Sequence, residues 1–310
     1  MGALRVSHGL FRPSPSGSAP DLDPELEFRR DLEAWLLVLP AGARFTHLTG
    51  ARLRRWQLPR LPEQVPVFAA VGTADGRPRR PGLLCSRLVR RTEPRHVDGL
   101  PVEPAEEVLL RAARDLSLLD MVILVDSARH LGDVDAGAME ELLQSRRPGV
   151  RRLREAWRRS TDRAESAGES VLRLFDECLE VPVKPQVELF DAAGHVVGVA
   201  DLLVQGTNQL HEYDGAHHRE TSQQRVDLRR GRGLARSSYD RKGFTLDDLL
   251  NHPGVLMHEI DRDLGRPHRL ARLRRWRRLV AASLYSEEGR FRVMNRWARE
   301  MGVVEWSGTA

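Results

Sequence analysis

Three carboxylates stand where a strand pattern would gather them. Asp201 interrupts an otherwise apolar run from Val196 to Val204, and Glu212 and Asp214 close the next run, which begins at Gln209. An acid inside a β-branched run is rarely placed for packing. Side chains alternate along a strand, so Glu212 and Asp214 share one face and Tyr213 takes the other. Burying three carboxylates together is costly unless a cation neutralises them, and an all-oxygen ligand set is what Mg²⁺ or Mn²⁺ prefers. Such an ion activates water and stabilises the charge that builds on a phosphate during hydrolysis. Gly215 lets the chain turn sharply and lets a phosphate approach, while His217 or His218 offers a general base or acid near neutral pH.

The elements that must position these groups are legible around them. Ser166-Ala-Gly-Glu169 has the spacing of a capping box, and Val171, Leu172, Leu174, Phe175 and Cys178 then supply one apolar face, so a helix begins here. Glu169 either completes the cap or joins the acids. Gln186 to Phe190 and Val196 to Val204 read as a hairpin turning at Asp191 to His195, followed by the strand Gln209 to Asp214. A helix over 222–235 brings Arg225, Asp227 and Arg229 or Arg230 behind that strand end, where Asp227 and Arg230 are expected to form a surface ion pair.

Upstream the pattern differs. Residues 1–20 are rich in Pro, Ser and Gly and are expected to be disordered. Helices are predicted at Leu26 to Leu39 and Thr46 to Trp56, then short strands between Val65 and Val97 around an Asp75-Gly76 turn. Helical periodicity returns over Glu106 to Leu116, Leu118 to His130, Ala136 to Gln144 and Gly149 to Arg159. A polar stretch at Ser160 to Ala164 suggests a boundary. The fold class is therefore α/β (α+β), and no repeat of fixed period is present.

The whole chain has 310 residues, enough for two compact domains, with 41% apolar and 30% charged residues. No apolar stretch approaches a membrane span, and the first residues hold no sustained apolar segment, so a cytoplasmic protein with no membrane partner is expected. Cys85 and Cys178 have no C-x-x-C partner, which argues against a zinc site or a disulfide framework and for ordinary buried thiols. The net charge is only +5, but arginines cluster at Arg52 to Arg55, Arg77 to Arg91, Arg146 to Arg159, Arg225 to Arg241 and Arg262 to Arg278. Clustered cations attract a polyanion through counterion release, which makes nucleic acid the partner to test against the alternative of solvated helix faces. Trp276 among these arginines either stacks on a base or packs in a core with Leu273, Leu279 and Val280, the latter being the commoner case.

At these residues the chain resembles the Vsr-like (very-short-patch-repair-like) branch of the PD-(D/E)XK nuclease superfamily. The matching elements are Ser166-x-x-Glu169-Ser with Arg173 following, Pro185-Gln186, Val199-Ala-Asp201-Leu, Glu212-Tyr-Asp-Gly-x-x-His218 and Asp227-x-x-Arg230-x-x-x-Leu234. They span roughly residues 160 to 250. The resemblance implies a restriction-endonuclease-like mixed sheet flanked by helices and metal-dependent cleavage of DNA phosphodiesters. It implies Asp201 as central metal ligand, Glu212 as second ligand, Glu169 as a helical acid contacting the metal through water, and His218 as catalytic histidine. Where the superfamily usually has a lysine, two positions after the second acid, this chain has Asp214. That is normal for the Vsr-like branch and removes the usual electrophile.

The preceding region resembles AbiEi-type antitoxins and related regulators, in Thr46-His-Leu-Thr-Gly-Ala-Arg-Leu, Gly99-Leu-Pro-Val, the helix holding Ala112, and Val125-Asp-Ser-Ala. Those proteins usually begin with a winged-helix DNA reader, and the first forty residues here have no helix-turn-helix pattern. The expected layout is a disordered tail over 1–20, an N-terminal α/β and helical domain over 21–160, a nuclease-like domain over 161–265 and a basic helical extension over 266–310. Two functions remain open: a Mg²⁺- or Mn²⁺-dependent endonuclease acting on DNA in repair or defence, and a non-catalytic regulator or antitoxin-like protein that keeps the fold for binding nucleic acid.

Overall fold

The structure, a computed structural model, describes residues 3–13, 23–89, 93–191, 193–215 and 239–302. These residues form a mixed α/β fold with three sheets. Residues 3–13, expected to be disordered, instead form an antiparallel hairpin of β1 (Ala3–Ser7) and β2 (Leu10–Pro13). Its anchor is Leu10, which is buried, and Arg12, which bonds Glu27 and Asp31 on helix α1 (Pro24–Leu36). The Pro-Ser-Gly composition that suggested disorder belongs mostly to 14–22, outside the described residues. Helix α1 starts where Asp23 caps Glu25 N–H and Pro24 takes the first turn, whose missing N–H costs nothing there.

The second sheet has strand order β5-β4-β3-β7-β6, built from β3 (Arg44–Phe45), β4 (Val67–Val71), β5 (Leu83–Arg87), β6 (Arg95–Val97) and β7 (Leu100–Val102). Helix α2 (His47–Leu53) follows the central strand β3, and α3 (Ala105–Ala112), α4 (Leu118–His130), α5 (Ala136–Gln144) and α6 (Val150–Arg159) come after the sheet. Helix α4 is enclosed on every side: Leu119 to Ala128 are all buried, Asp120 and Asp126 among the apolar residues. A reciprocal capping box between Ser117 and Asp120 starts it.

The third sheet has the order β11-β10-β9-β8: β8 (Val183–Phe190), β9 (Val196–Val204) and β10 (Gln209–Tyr213) are antiparallel in turn, and β11 (Asp240–Phe244) lies parallel to β10. Helix α7 (Ala167–Cys178) packs against β8 and β10, and α8 (Leu246–Asn251), α9 (Pro253–Asp263), α10 (Leu270–Ala281) and α11 (Glu287–Met301) are the last of the described elements. Trp276 takes the core alternative: it is fully buried, meets Phe175 edge to face and donates to Leu249 O at 2.7 Å.

The expected boundary at Ser160 to Ala164 falls in the link between helices α6 (Val150–Arg159) and α7 (Ala167–Cys178), and the hydrophobic core runs across it without a break. One buried cluster extends from Leu10 through α4 and α7 to Trp297. Two acids on α4 tie the regions together: Asp126 accepts from Thr161 N–H, the Ser170 hydroxyl and Arg173, and Asp120 accepts from Leu284 N–H. Helix α11, from the basic extension, closes on the N-terminal region through Trp297 Nε1 to Asp115 at 3.0 Å and Arg296 to Arg114 O.

Candidate functional site

The register of the third sheet brings two of the acids toward each other. Leu203 pairs with Leu210 and Leu202 with His211, and continuing that register by one residue sets Asp201 opposite Glu212. Cross-strand partners share a face, and their carboxylates therefore project together. Asp201 is held by Tyr213 N–H, which donates to its Oδ2 at 2.8 Å, and it is half-buried. Glu212 is buried, and Arg241 Nη2 on β11 lies 3.5 Å from its Oε2. On the other side Glu212 runs beside Gly243 in the parallel pair. A Cβ on Gly243 would fall 1.9 Å from Asp214 Oδ2, so the bare backbone there is what admits the Asp214 carboxylate.

Strand alternation on β10 follows the expected pattern. Glu212 and Asp214 take one face, while His211 and Tyr213 face helix α7. A Cβ on Gly168 of that helix would sit 2.0 Å from Tyr213 Cε1, so the tyrosine ring occupies the space a side chain would need. His211 Nδ1 meets Asp176 of α7 at 2.9 Å, with both side chains completely buried and the imidazole tilted against Phe244. This pair escaped the sequence reading because no spacing rule connects a strand histidine to an acid a whole helix-and-hairpin away. It fastens the strand that carries Glu212 to the helix that carries Glu169.

Glu169 takes part in only half of a capping box. Its N–H bonds the Ser166 hydroxyl at 3.2 Å, but its carboxylate does not return to Ser166 N–H. Its Oε2 instead accepts from Glu165 N–H at 3.0 Å and from Gln186 Nε2 at 2.9 Å. Gln186 lies opposite Asp201, since Pro185 pairs with Leu202 and Val187 with Ala200, and it adopts a φ of +50°, unusual for a residue with a side chain. Burial, followed by the charge of Asp201, raises the Glu169 carboxyl above the usual range, against the lowering effect of its hydrogen bonds. Glu169 thus feels the charge of Asp201, and Asp214 sits by Gly243, the strand neighbour of Glu212. His217 and His218, like Asp227 and Arg230, lie outside the described residues.

The acids here offer carboxylate oxygens only, the ligand type that hard divalent cations take, and Asp214 lies over the bare Gly243 backbone beside Glu212. Among the described residues no three His, Cys, Asp or Glu side chains converge as a metal-holding group. The Glu169 carboxylate is engaged by Glu165 N–H and Gln186 Nε2. Cys85 and Cys178 are free thiols, Cys178 buried and Cys85 partly so, and burial pushes both up to about 11.

The surface charge has a definite layout. Arg151, Arg154 and Arg158 on α6 and Arg274, Arg275, Arg277 and Arg278 on α10 are exposed. A cleft of about 450 Å³ is lined by Arg159 of α6, Glu177 of α7, and Arg275 and Arg278 of α10. Arg272, by contrast, is buried against Asp261 and Glu180. Among the described residues no helix is long and apolar enough to cross a membrane. No protein-family model, no curated protein and no solved structure matches the chain.

Proposed function

We propose that this protein is a divalent-metal-dependent endonuclease that hydrolyses or nicks DNA phosphodiesters. The observation that carries the reading is the cross-strand pair Asp201 and Glu212, with Glu169 near enough for the charge of Asp201 to raise its carboxyl. Like charges gathered at partly buried positions are expensive, and a cation is the ordinary compensation. Asp201 and Glu212 would hold Mg²⁺ or Mn²⁺, with Glu169 as the outer acid. The bound ion supplies Lewis-acid stabilisation of the phosphate and a more acidic water. The chain does the rest: Tyr213 N–H orients Asp201, Gly243 leaves room for Asp214, and His218, or its neighbour His217, is assigned to proton transfer. Exposed arginines on α6 and α10 supply phosphate contacts on the protein surface.

The alternative, a regulator or antitoxin-like protein that binds nucleic acid without cutting it, is favoured by one observation. Among the described residues the acids do not form a group of three around a common ion position. A nicking assay on supercoiled plasmid separates the two. The nuclease reading requires conversion to open-circular or linear product with Mg²⁺ or Mn²⁺, none with chelator, and none from Asp201→Asn. Retarded migration of the plasmid without any cut product supports the regulator.

A further inference from the structure

Arg241 borders the buried Glu212 from the neighbouring strand. It stands on β11, an edge strand, and the parallel register pairs it with Leu210 and therefore sets it on the same face as Glu212, two residues along. Its guanidinium reaches Glu212 Oε2 at 3.5 Å, with Arg241 47% exposed above an acid that is 6% exposed. Compare the arginines that hold the fold. Arg147 meets both oxygens of Glu107 at 2.5 and 2.6 Å, Arg173 meets Asp126 at 2.7 Å, and Arg266 meets Asp261 at 2.6 Å. Those are close contacts with exposures below a fifth. The Arg241 contact is longer, at 3.5 Å, with the arginine half-exposed, and such pairs contribute little to stability. The guanidinium fork carries five N–H donors, and the half-exposed side chain can present them to solvent.

We propose that Arg241 is a phosphate-binding residue of this site, resting on Glu212 in the free protein and turning to a phosphodiester oxygen when a divalent cation takes the Glu212 carboxylate. The inference rests on the nuclease reading above. Its logic is electrostatic. A carboxylate cluster repels a phosphate, and the incoming ion neutralises the acids and ends the attraction that holds Arg241 down. Arginine then offers planar, paired donors to phosphate oxygens. Binding of ion and binding of DNA are therefore coupled through one side chain, and Arg241→Ala should cost little stability on its own.

The test measures DNA affinity rather than cleavage. Fluorescence anisotropy of a labelled duplex is followed for the parent and Arg241→Ala, with chelator and with Ca²⁺, which takes the same oxygen ligands. Calorimetry of Ca²⁺ binding alone is run beside it. The parent should bind DNA more tightly with Ca²⁺, and Arg241→Ala should lose about 10-fold in affinity with Ca²⁺, with a salt slope smaller by about one phosphate contact. With chelator the two proteins should differ by less than about 2-fold. Arg241→Lys should recover part of the loss, since the charge remains and the fork does not. An equal loss with and without Ca²⁺ overturns the proposal and makes Arg241 an ordinary surface cation. No loss in either condition also overturns it. A parent that binds no Ca²⁺ overturns the metal reading together with the proposal, and the calorimetry identifies that outcome separately.

Discussion

Asp126 Oδ2 on α4 lies 2.7 Å from Arg173 Nη2 on α7, although the two residues are 47 apart in the chain. Asp126 belongs to the Val125-Asp-Ser-Ala run of the first half and Arg173 to the motif that opens the second. Their ion pair, with the Ser170 hydroxyl and Thr161 N–H on the same acid, fastens the two halves into one core. Arg173 is thus a packing anchor in this protein, with its charge spent on α4.

Breaking that anchor should be costly. Asp126 is 1% exposed and Arg173 12%, so Asp126→Ala leaves a largely buried guanidinium without its carboxylate. The expected loss is about 3–5 kcal/mol. Asp126→Asn, which keeps an acceptor for Thr161 N–H, should lose less. Urea unfolding followed by tryptophan fluorescence and by circular dichroism checks both values, and a shared core requires the two probes to give coincident transitions in the parent. Two separated transitions would show that the halves unfold independently.

Gly168 is sized by Tyr213. Gly168→Ala drives a methyl group to within 2.0 Å of the present Tyr213 Cε1 position, and overpacking of this kind costs about 1–3 kcal/mol. Removing the ring as well, in Gly168→Ala/Tyr213→Ala, should cost less than the sum of the single changes. Additive losses in a double-mutant cycle would mean that the two residues do not compete for the same space.

Glu169 should make stability depend on pH in a definite direction. Its carboxyl is raised above its unfolded value, so its contribution is fully present below the ordinary glutamate range and is lost as pH rises through the raised folded value. Glu169→Gln removes that loss. The variant should match the parent in acid and exceed it at neutral pH in metal-free buffer, and Mg²⁺ should narrow the gap by stabilising the parent. Denaturation midpoints measured across pH 3 to about 8 decide it, and a variant that is weaker than the parent at neutral pH would contradict the assignment.

Metal and DNA should separate in Asp201→Asn. If Asp201 holds the ion, Mg²⁺ or Mn²⁺ should raise the melting temperature of the parent and not that of the variant, because the ion binds only the folded site. Cleavage should fall by orders of magnitude while DNA affinity stays level or rises, since the exposed arginines of α6 and α10 are untouched. His218→Ala should instead keep the metal-induced shift and lose roughly 10²- to 10⁴-fold in rate, the usual worth of proton transfer. Equal cleavage by Asp201→Asn and parent would move the activity to another site.

Both cysteines should be slow to react. A thiol pushed up to about 11 is roughly one part in 10³ thiolate at pH 8, and the thiolate is the reactive form. Modification of the native protein should lag the urea-unfolded chain by about two orders of magnitude. Rapid labelling of Cys85 in the native protein would show its burial to be lost in solution.

Short-range rules made much of this protein legible. The capped start of α7, the alternation of β9 and β10, and the shared face of Glu212 and Asp214 follow from patterns that repeat within a few residues. Helices Leu118 to His130 and Ala136 to Gln144 fall on their expected bounds for the same reason. Tertiary structure decided what distant residues do to one another. Strand β11, Asp-Arg-Lys-Gly-Phe, has neither alternation nor β-branched residues, and it is a strand because β10 offers it a parallel edge. Arg241 could not be assigned to the acid face without that pairing. The cap acid Glu169 gives its carboxylate to Gln186 and Glu165 because β8 passes beside the helix start. The burial of His211 on Asp176 and of Arg173 on Asp126 likewise depends on which faces pack together. An ion pair or a desolvated acid is a property of two surfaces in contact, and a linear pattern specifies each surface without specifying its partner.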